Sequence, residues 1–519
     1  MSFNEEKRSS SALKISIASL FYNILQLILA FVYRSVFVRY FSVNYLGLNG
    51  LFSNILTLLS LSELGITTPI IYRLYKPMAE GDTDQVGKLM WFYKSIYQYI
   101  FAVIVILGLS ICPFIKLLVK DQSQIPDDIN IYAIYLLFLF QTASTYLFAY
   151  KQSLLIADRK HYITAVFNMV TCSARYFVQI YLVIYLHNYV FILVYGIAVN
   201  LLSNILLSAY VTRKYKEIFL RYKPLEKKIK EQIFEDSKKC LMHRIGYKIL
   251  TSTDNIVIAK TIGIVETGLY SNYTMISGYL ASFFAELLGN YAGIIGNIIT
   301  SDDMEHIYDV FKRLIFLSLW LNTTMTIMLY CFFNIFIRIW LGEDYCFHDF
   351  TVALLCLYFF LTNLRLIPNS FIGVSPLFTR DALRPLIQAV INLVVSILLA
   401  LYIGIDGVII GSIVCVLLTV FWREPYLLYK YFFKKSGWYY WMQVTRFIIS
   451  LVMIIILFRF ILGRFFINGF LQMLTAMACG IFFIQVFLVM VTFRMSEFRY
   501  FKDTIHQFYK QYRIKNNNI

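Results

Sequence analysis

Long apolar blocks separated by short polar breaks fill almost the whole chain. A helix needs about 20 mostly apolar residues to cross the hydrocarbon of a bilayer. That ruler places spans over 13–39, 45–76, 88–118, 128–153, 161–187 and 189–212. After a polar stretch come 240–260, 266–300, 308–338, 349–373, 381–402 and 405–431, and finally 440–463 and 467–493. The pattern predicts an all-α integral membrane fold of about 14 transmembrane helices. The expected organisation is an N-terminal segment over 1–12, a six-helix lobe over 13–212 and a basic loop over 213–239. A second six-helix lobe over 240–431, two further helices over 440–493 and a basic tail over 494–519 complete it.

Composition agrees. Of 519 residues, 59% are hydrophobic and 15% charged, against about 45–50% and about 25% in soluble domains. The net charge of +17 changes the picture only through its placement. Basic residues gather in one set of loops: Lys7, Arg8 and Lys14, then Lys151, Arg159 and Lys160, then 213–239, then Arg380, Arg384, Arg423, Lys430, Lys434 and Lys435, and the tail. The opposite loops are short, and two are acidic, around Asp121 to Asp128 and Glu343 to Asp349. Such a bias marks the cytoplasmic side. Both termini are therefore expected in the cytoplasm, and a nucleic-acid partner is not. The 213–239 stretch interleaves its charges with Leu, Ile and Phe, which suits an amphipathic helix on an anionic leaflet or a solvated linker between the lobes.

Polar residues inside apolar spans are costly and face a cavity or a partner. In the first span Asn23, Gln26 and Arg34 share one helical face, and in the fifth Asn168, Cys172, Arg175 and Gln179 do the same. The seventh carries Arg244, Lys248 and Asn255 on one stripe with Asp254 at its border. The second holds Asn49, Ser53 and Glu63, the eighth Glu286 and Asn290, and the tenth Arg365. One reading is a water-filled cationic cavity between the lobes. There Arg34, Arg175, Arg244, Lys248 and Arg365 would take an anionic substrate, since arginine's planar fork suits phosphate oxygens. Glu63, Asp254 and Glu286 would be counter-ions or carry a coupling ion, and Asn23, Gln26, Asn49, Ser53, Asn255 and Asn290 would line the walls. The alternative is interhelical hydrogen bonding for the neutral groups and buried ion pairs between the arginines and those carboxylates. Gly65 and Pro69 predict a kink in the second span, and Pro368 and Pro376 flank the end of the tenth.

A weak internal repeat supports two lobes. Gly47 and Leu48 open the second span as Gly268 and Leu269 open the eighth, and Glu63-Leu64-Gly65 in one is echoed by Glu286-Leu287-Leu288-Gly289 in the other. Repeated halves of like orientation are related by an axis along the membrane normal, with a site between them.

No HExxH, GxSxG or P-loop pattern occurs, and eight scattered cysteines without CxxC spacing give no metal or disulfide framework. No cofactor and no metal are expected. Without a nucleotide-binding loop, energy must come from an ion gradient, substrate supply or a partner. A polytopic sugar polymerase or ligase is the competing class, but the outer loops are too short to hold a structured acid–base domain.

The run VYRSVFVRYFSVNYLGLNGLFSNILTLLSLSELGI, followed by TPIIYRLYKP, resembles the N-terminal signature of polysaccharide transporters, and IGYKILTSTDNIVIAKTIGIVETGLYSNYTMI resembles their seventh and eighth spans. With its span count and basic loop, the chain resembles a Wzx-type oligosaccharide flippase of the multidrug/oligosaccharidyl-lipid/polysaccharide (MOP) exporter superfamily. The resemblance implies translocation of undecaprenyl-diphosphate-linked oligosaccharide across the bacterial plasma membrane, for capsule, exopolysaccharide or O-antigen assembly. It further implies coupling to a Na⁺ or H⁺ gradient and contact with membrane lipids, the polysaccharide polymerase and other assembly proteins. It carries the family's intramembrane basic residue onto Arg34 and its acidic one onto Asp254. Lipid II and teichoic-acid-type flippases share the expected cationic cavity and stay open as alternatives.

Overall fold

The structure, a computed structural model, describes residues 24–60, 67–158, 160–219, 224–289, 303–375, 384–462 and 469–517. Among these the chain is helical throughout and contains no strand. It divides into two compact units: Met1–Ser271 with Ala382–Gly404, and Asn272–Asp381 with Ile405–Ile519.

The first unit contains α1 (24–40), α2 (Val43–Leu59), α3 (Thr67–Glu80), α4 (Thr83–Ile111) and α5 (Ile131–Ala149). It continues through α6 (Gln152–Ala157), α7 (His161–Tyr185), α8 (Tyr189–Lys214), α9 (Lys216–Phe219), α10 (Lys227–Ser252) and α11 (Asp254–Thr261). α12 (Ile264–Gly289) starts in this unit and passes to the second. The second unit adds α13 (Met304–Trp340), α14 (Asp349–Leu364) and α15 (Leu366–Val374). α16 (Arg384–Val416) is shared, because Ile403 and Gly404 leave helical geometry, with Gly404 at φ +61°. After α17 (Arg423–Leu427) come α18 (Trp438–Leu462), α19 (Phe470–Thr492) and α20 (Ser496–Asn517).

Nine helical segments among the described residues are long and apolar enough to cross a membrane. Their outward faces carry groups such as Leu471 (74% exposed) and Phe482 (72% exposed), surfaces that lipid covers without cost and water would not. Side-chain caps fix the starts of some of these helices. Asn130 Oδ1 accepts from the Tyr132 and Ala133 N–H groups at 3.0 and 3.3 Å, and Asn188 Oδ1 accepts from the Phe191 N–H at 3.2 Å. Each cap contributes about 1 kcal/mol.

Several boundaries differ from the sequence reading. The described residues of the second span form α2 and α3, with 61–66 outside them, and Pro69 sits in the first turn of α3, where a missing N–H costs nothing. The basic stretch after the sixth span is not all loop: its second half, from Lys227, is the beginning of α10. The seventh span is interrupted at Thr253, which keeps helical angles of φ −85° and ψ −29°, so Asp254 opens α11. The tail is a helix, α20.

Gly47 and Gly268, matched in the sequence as repeat equivalents, meet where α2 crosses the first turn of α12. A Cβ on Gly268 would come within 3.2 Å of the Gly47 nitrogen and would strike the Val43 carbonyl, and one on Gly47 would strike that of Ile264. Only glycine permits this approach of backbones.

Candidate functional site

In the first unit, α1 presents Tyr33 and Arg34 toward α7 and α12. The Tyr33 ring lies 5.6 Å from that of Tyr176, and the Arg175 guanidinium lies 5.0 Å from the Tyr176 ring. Both guanidinium groups, of Arg34 and Arg175, are within electrostatic reach of the Tyr33 hydroxyl. Two of the expected cations thus share one neighbourhood, with a pair of tyrosines between them. Arg34 donates to Ser271 Oγ. Arg175 points one nitrogen at Cys172 Sγ, 3.8 Å away, and its buried Nε has no hydrogen-bond partner among the described residues. A half-buried guanidinium offered a ring face and a thiol in place of a carboxylate keeps donors for an anion.

The acidic part of the site lies where α10 meets α11. Asp254 accepts from the Tyr270 hydroxyl at 3.3 Å. Beside it, Thr253 Oγ1 bonds Asn392 Oδ1 at 3.3 Å, from α16. Asn255 is next in line, and its Oδ1 is buried without a partner among the described residues. Lys248 is half-buried near the C-terminal end of α10, four residues before Ser252. Asn49 accepts from the Tyr189 hydroxyl, inside an aromatic cluster with Phe37, Phe41 and Tyr45. Gln26 is half-buried on α1, and Ser53 is exposed.

The second unit holds Arg365 and Glu286. Arg365 forms a two-point ion pair with Glu424, NH2 to Oε1 at 2.7 Å and Nε to Oε2 at 3.3 Å. The carboxylate is 1% exposed and the guanidinium 17%. Both residues sit at irregularities made by proline. Pro368 lacks the N–H that would bond Leu364, at the kink beside Arg365, and Pro425 follows Glu424 after a π-helical turn over Leu417–Phe421. The sequence reading counted Arg365 among the substrate-facing cations, with Glu63, Asp254 or Glu286 as alternative partners. In the structure its fork is engaged by Glu424. Glu286 is half-buried on α12. Asn23, Glu63 and Asn290 lie outside the described residues, as does the side chain of Arg244.

Residues that the sequence reading passed over include Tyr33, Tyr176, Ser271, Tyr270, Asn392 and Glu424. Glu424 carried a signal: it is the one carboxylate in the apolar run from Gly407 to Phe433.

The two-unit fold is like that of solved transporters of the MOP superfamily. No protein-family model matches the sequence, and no curated protein matches it. Among solved structures the chain is similar to the lipid II flippase MurJ in an inward closed conformation, with a TM-score of 0.68 and 14% identity over 95% of this chain and 100% of that one. It is also similar to an inward-facing multidrug resistance MATE family transporter of the MOP superfamily, with a TM-score of 0.59 and 13% identity over 79% and 98%. A MATE transporter of Vibrio cholerae gives a TM-score of 0.55 and 12% identity over 83% and 100%. At these identities the likeness is one of fold.

Proposed function

We propose that the protein is a flippase that carries an undecaprenyl-diphosphate-linked oligosaccharide from the cytoplasmic to the outer face of the bacterial plasma membrane, and is not an enzyme. The observation that supports this reading most is Arg175. It is a half-buried cation inside an apolar helix, near Arg34 and the Tyr33–Tyr176 pair, with a buried donor that has no partner among the described residues. Leaving such a group unanswered is costly, and a diphosphate would answer it by charge-assisted hydrogen bonds. Drug and cation carriers would be served by acidic groups in that place instead.

In this reading Arg34 and Arg175 bind the diphosphate, with Lys248 and Arg244 along its route, and the tyrosine faces stack on sugar rings. Asp254 carries a coupling Na⁺ or H⁺, and occupancy of that carboxylate biases which side of the membrane the site faces. The polysaccharide polymerase is the natural receiver of the product, and both termini lie in the cytoplasm. A second reading, a flippase for lipid II or a teichoic-acid-type lipid, has in its favour the likeness in fold to the lipid II flippase MurJ. The carrier diphosphate is common to both.

Deleting the gene and analysing lipid-linked intermediates on each leaflet tests the proposal. Complete repeat units held on the cytoplasmic leaflet are expected, and their sugars separate the two readings. Units that cross normally but stay unpolymerised would overturn transport in favour of a polymerase.

A further inference from the structure

A second cationic feature lies in the first unit, on other helices. Lys94 of α4 and Lys151, between α5 and α6, line a pocket of about 170 Å³ closed by Met90, Trp91, Tyr150, Thr212 and Phe219. Lys94 Nζ stands 4.6 Å from the Trp91 ring centre. Lys151 Nζ donates to Thr212 Oγ1 at 2.7 Å and lies 5.9 Å from the Tyr150 ring and 5.5 Å from that of Phe219. None of the lining residues is acidic, and among the described residues neither lysine pairs with a carboxylate.

Two ammonium groups sharing a partly dry pocket repel each other. Burial and the Lys94 charge hold the Lys151 ammonium below the ordinary lysine value. A fold that crowds like charges without a counter-ion meets a cost that an anion removes. The other elements around the pocket add positive charge. Arg213 and Lys214 end α8, Lys216 opens α9, and Lys230 of α10 lies over the Phe92 ring at 5.6 Å. Glu217 of α9 is exposed, and Asp84 is paired with Lys88.

We infer that the Lys94–Lys151 pocket is a phosphate-group site, separate from the Arg34–Arg175 neighbourhood. Two ammonium groups can donate to phosphate oxygens, Thr212 holds Lys151 in place by accepting from it, and the Trp91, Tyr150 and Phe219 rings line the rest of the pocket. The volume accepts a phosphate group with part of its ester. Its source is either a free phosphate or the headgroup of an anionic phospholipid, and the two are separable by experiment.

Purified full-length protein is titrated with inorganic phosphate against chloride at equal ionic strength, following thermal stability. In parallel it is reconstituted in nanodiscs of phosphatidylcholine alone or mixed with phosphatidylglycerol, and retained lipid is counted by native mass spectrometry. Lys94→Gln and Lys151→Gln each weaken binding about tenfold or more, whereas Lys88→Gln, on the same helix but outside the pocket, leaves it unchanged. Saturable stabilisation by inorganic phosphate that these variants lose identifies a free-phosphate site. Retention of phosphatidylglycerol alone, lost in the same variants, identifies a headgroup site. A test free of mutation is acetylation of the wild-type chain: phosphate or phosphatidylglycerol slows modification of Lys94 and Lys151 but not of Lys76. Equal binding by wild type and the double variant, or unprotected lysines at saturating ligand, overturns the inference.

Discussion

Arg175 and Arg365 are both arginines embedded in apolar helices, and their surroundings are opposite. Arg365 in the second unit meets a fully buried carboxylate with two contacts. Arg175 in the first unit meets a tyrosine face and a thiol. Removing one partner of a buried ion pair strands a charge, so the pair must be kept whole. A guanidinium without a carboxylate is instead ready for an anion that comes and goes. Burial alone does not separate a structural arginine from a binding one; the partner does.

The largest effect expected from this contrast is at Glu424. Glu424→Ala leaves Arg365 buried and uncompensated and lowers stability by about 3–5 kcal/mol, read as a fall in melting temperature in detergent. Joint replacement, Arg365→Met with Glu424→Leu, restores most of that loss, because an apolar pair removes the stranded charge. A double variant as unstable as the single one would make Arg365 more than a staple. The next effect is steric. Gly268→Ala forces a methyl against the Val43 carbonyl and costs about 1–3 kcal/mol, whereas Gly278→Ala, on the same helix with open space around it, costs nothing measurable. Arg175→Met loses a cation–ring contact of about 0.5–1 kcal/mol in stability. Its transport falls about tenfold or more, from the lost charged hydrogen bonds.

The smallest effect is a pH dependence at Asp158, in the loop after α6. Burial pushes its carboxyl up, but hydrogen bonds from Lys160 and Tyr215 and the charges of Lys160 and Lys214 outweigh it and hold the value below the ordinary one. A lowered folded-state value means stability present above the unfolded value, about 3.9, and lost as pH falls through the lower folded one. Asp158→Asn should abolish that part of the acid sensitivity, seen as a flatter melting profile below about pH 4.

The sequence was most informative where one physical force dominates. Apolar length alone located the spans between Met304 and Thr492 to within a few residues, since lipid tolerates little else. It also picked out Gly47 and Gly268, whose contact the structure explains. The 213–239 stretch, open in the sequence between an amphipathic helix and a linker, carries the start of α10 from Lys227. In the second span, where Gly65 and Pro69 predict a kink, the described residues form α2 and α3, with 61–66 outside them. For the site, a helical face identified Arg34 and Arg175 as interior cations. No periodicity could say that Tyr33 and Tyr176 stand between them, because that contact joins α1 to α7 across more than a hundred residues. Arg365 misled for the same reason. Its partner Glu424 lies within the span read over 405–431 but was not weighed as a counter-ion, and the proline-made irregularities of α15 and α17 bring the two together.

The most direct test of the central contrast is the sidedness of lipid-linked oligosaccharide in cells carrying only Arg175→Met, compared with cells carrying Arg365→Met and Glu424→Leu together, at matched protein levels. Repeat units trapped on the cytoplasmic leaflet in the first strain and exported in the second are the expected result. Normal export with Arg175→Met, or trapping confined to the paired replacement, would contradict the assignment of the anion to Arg175.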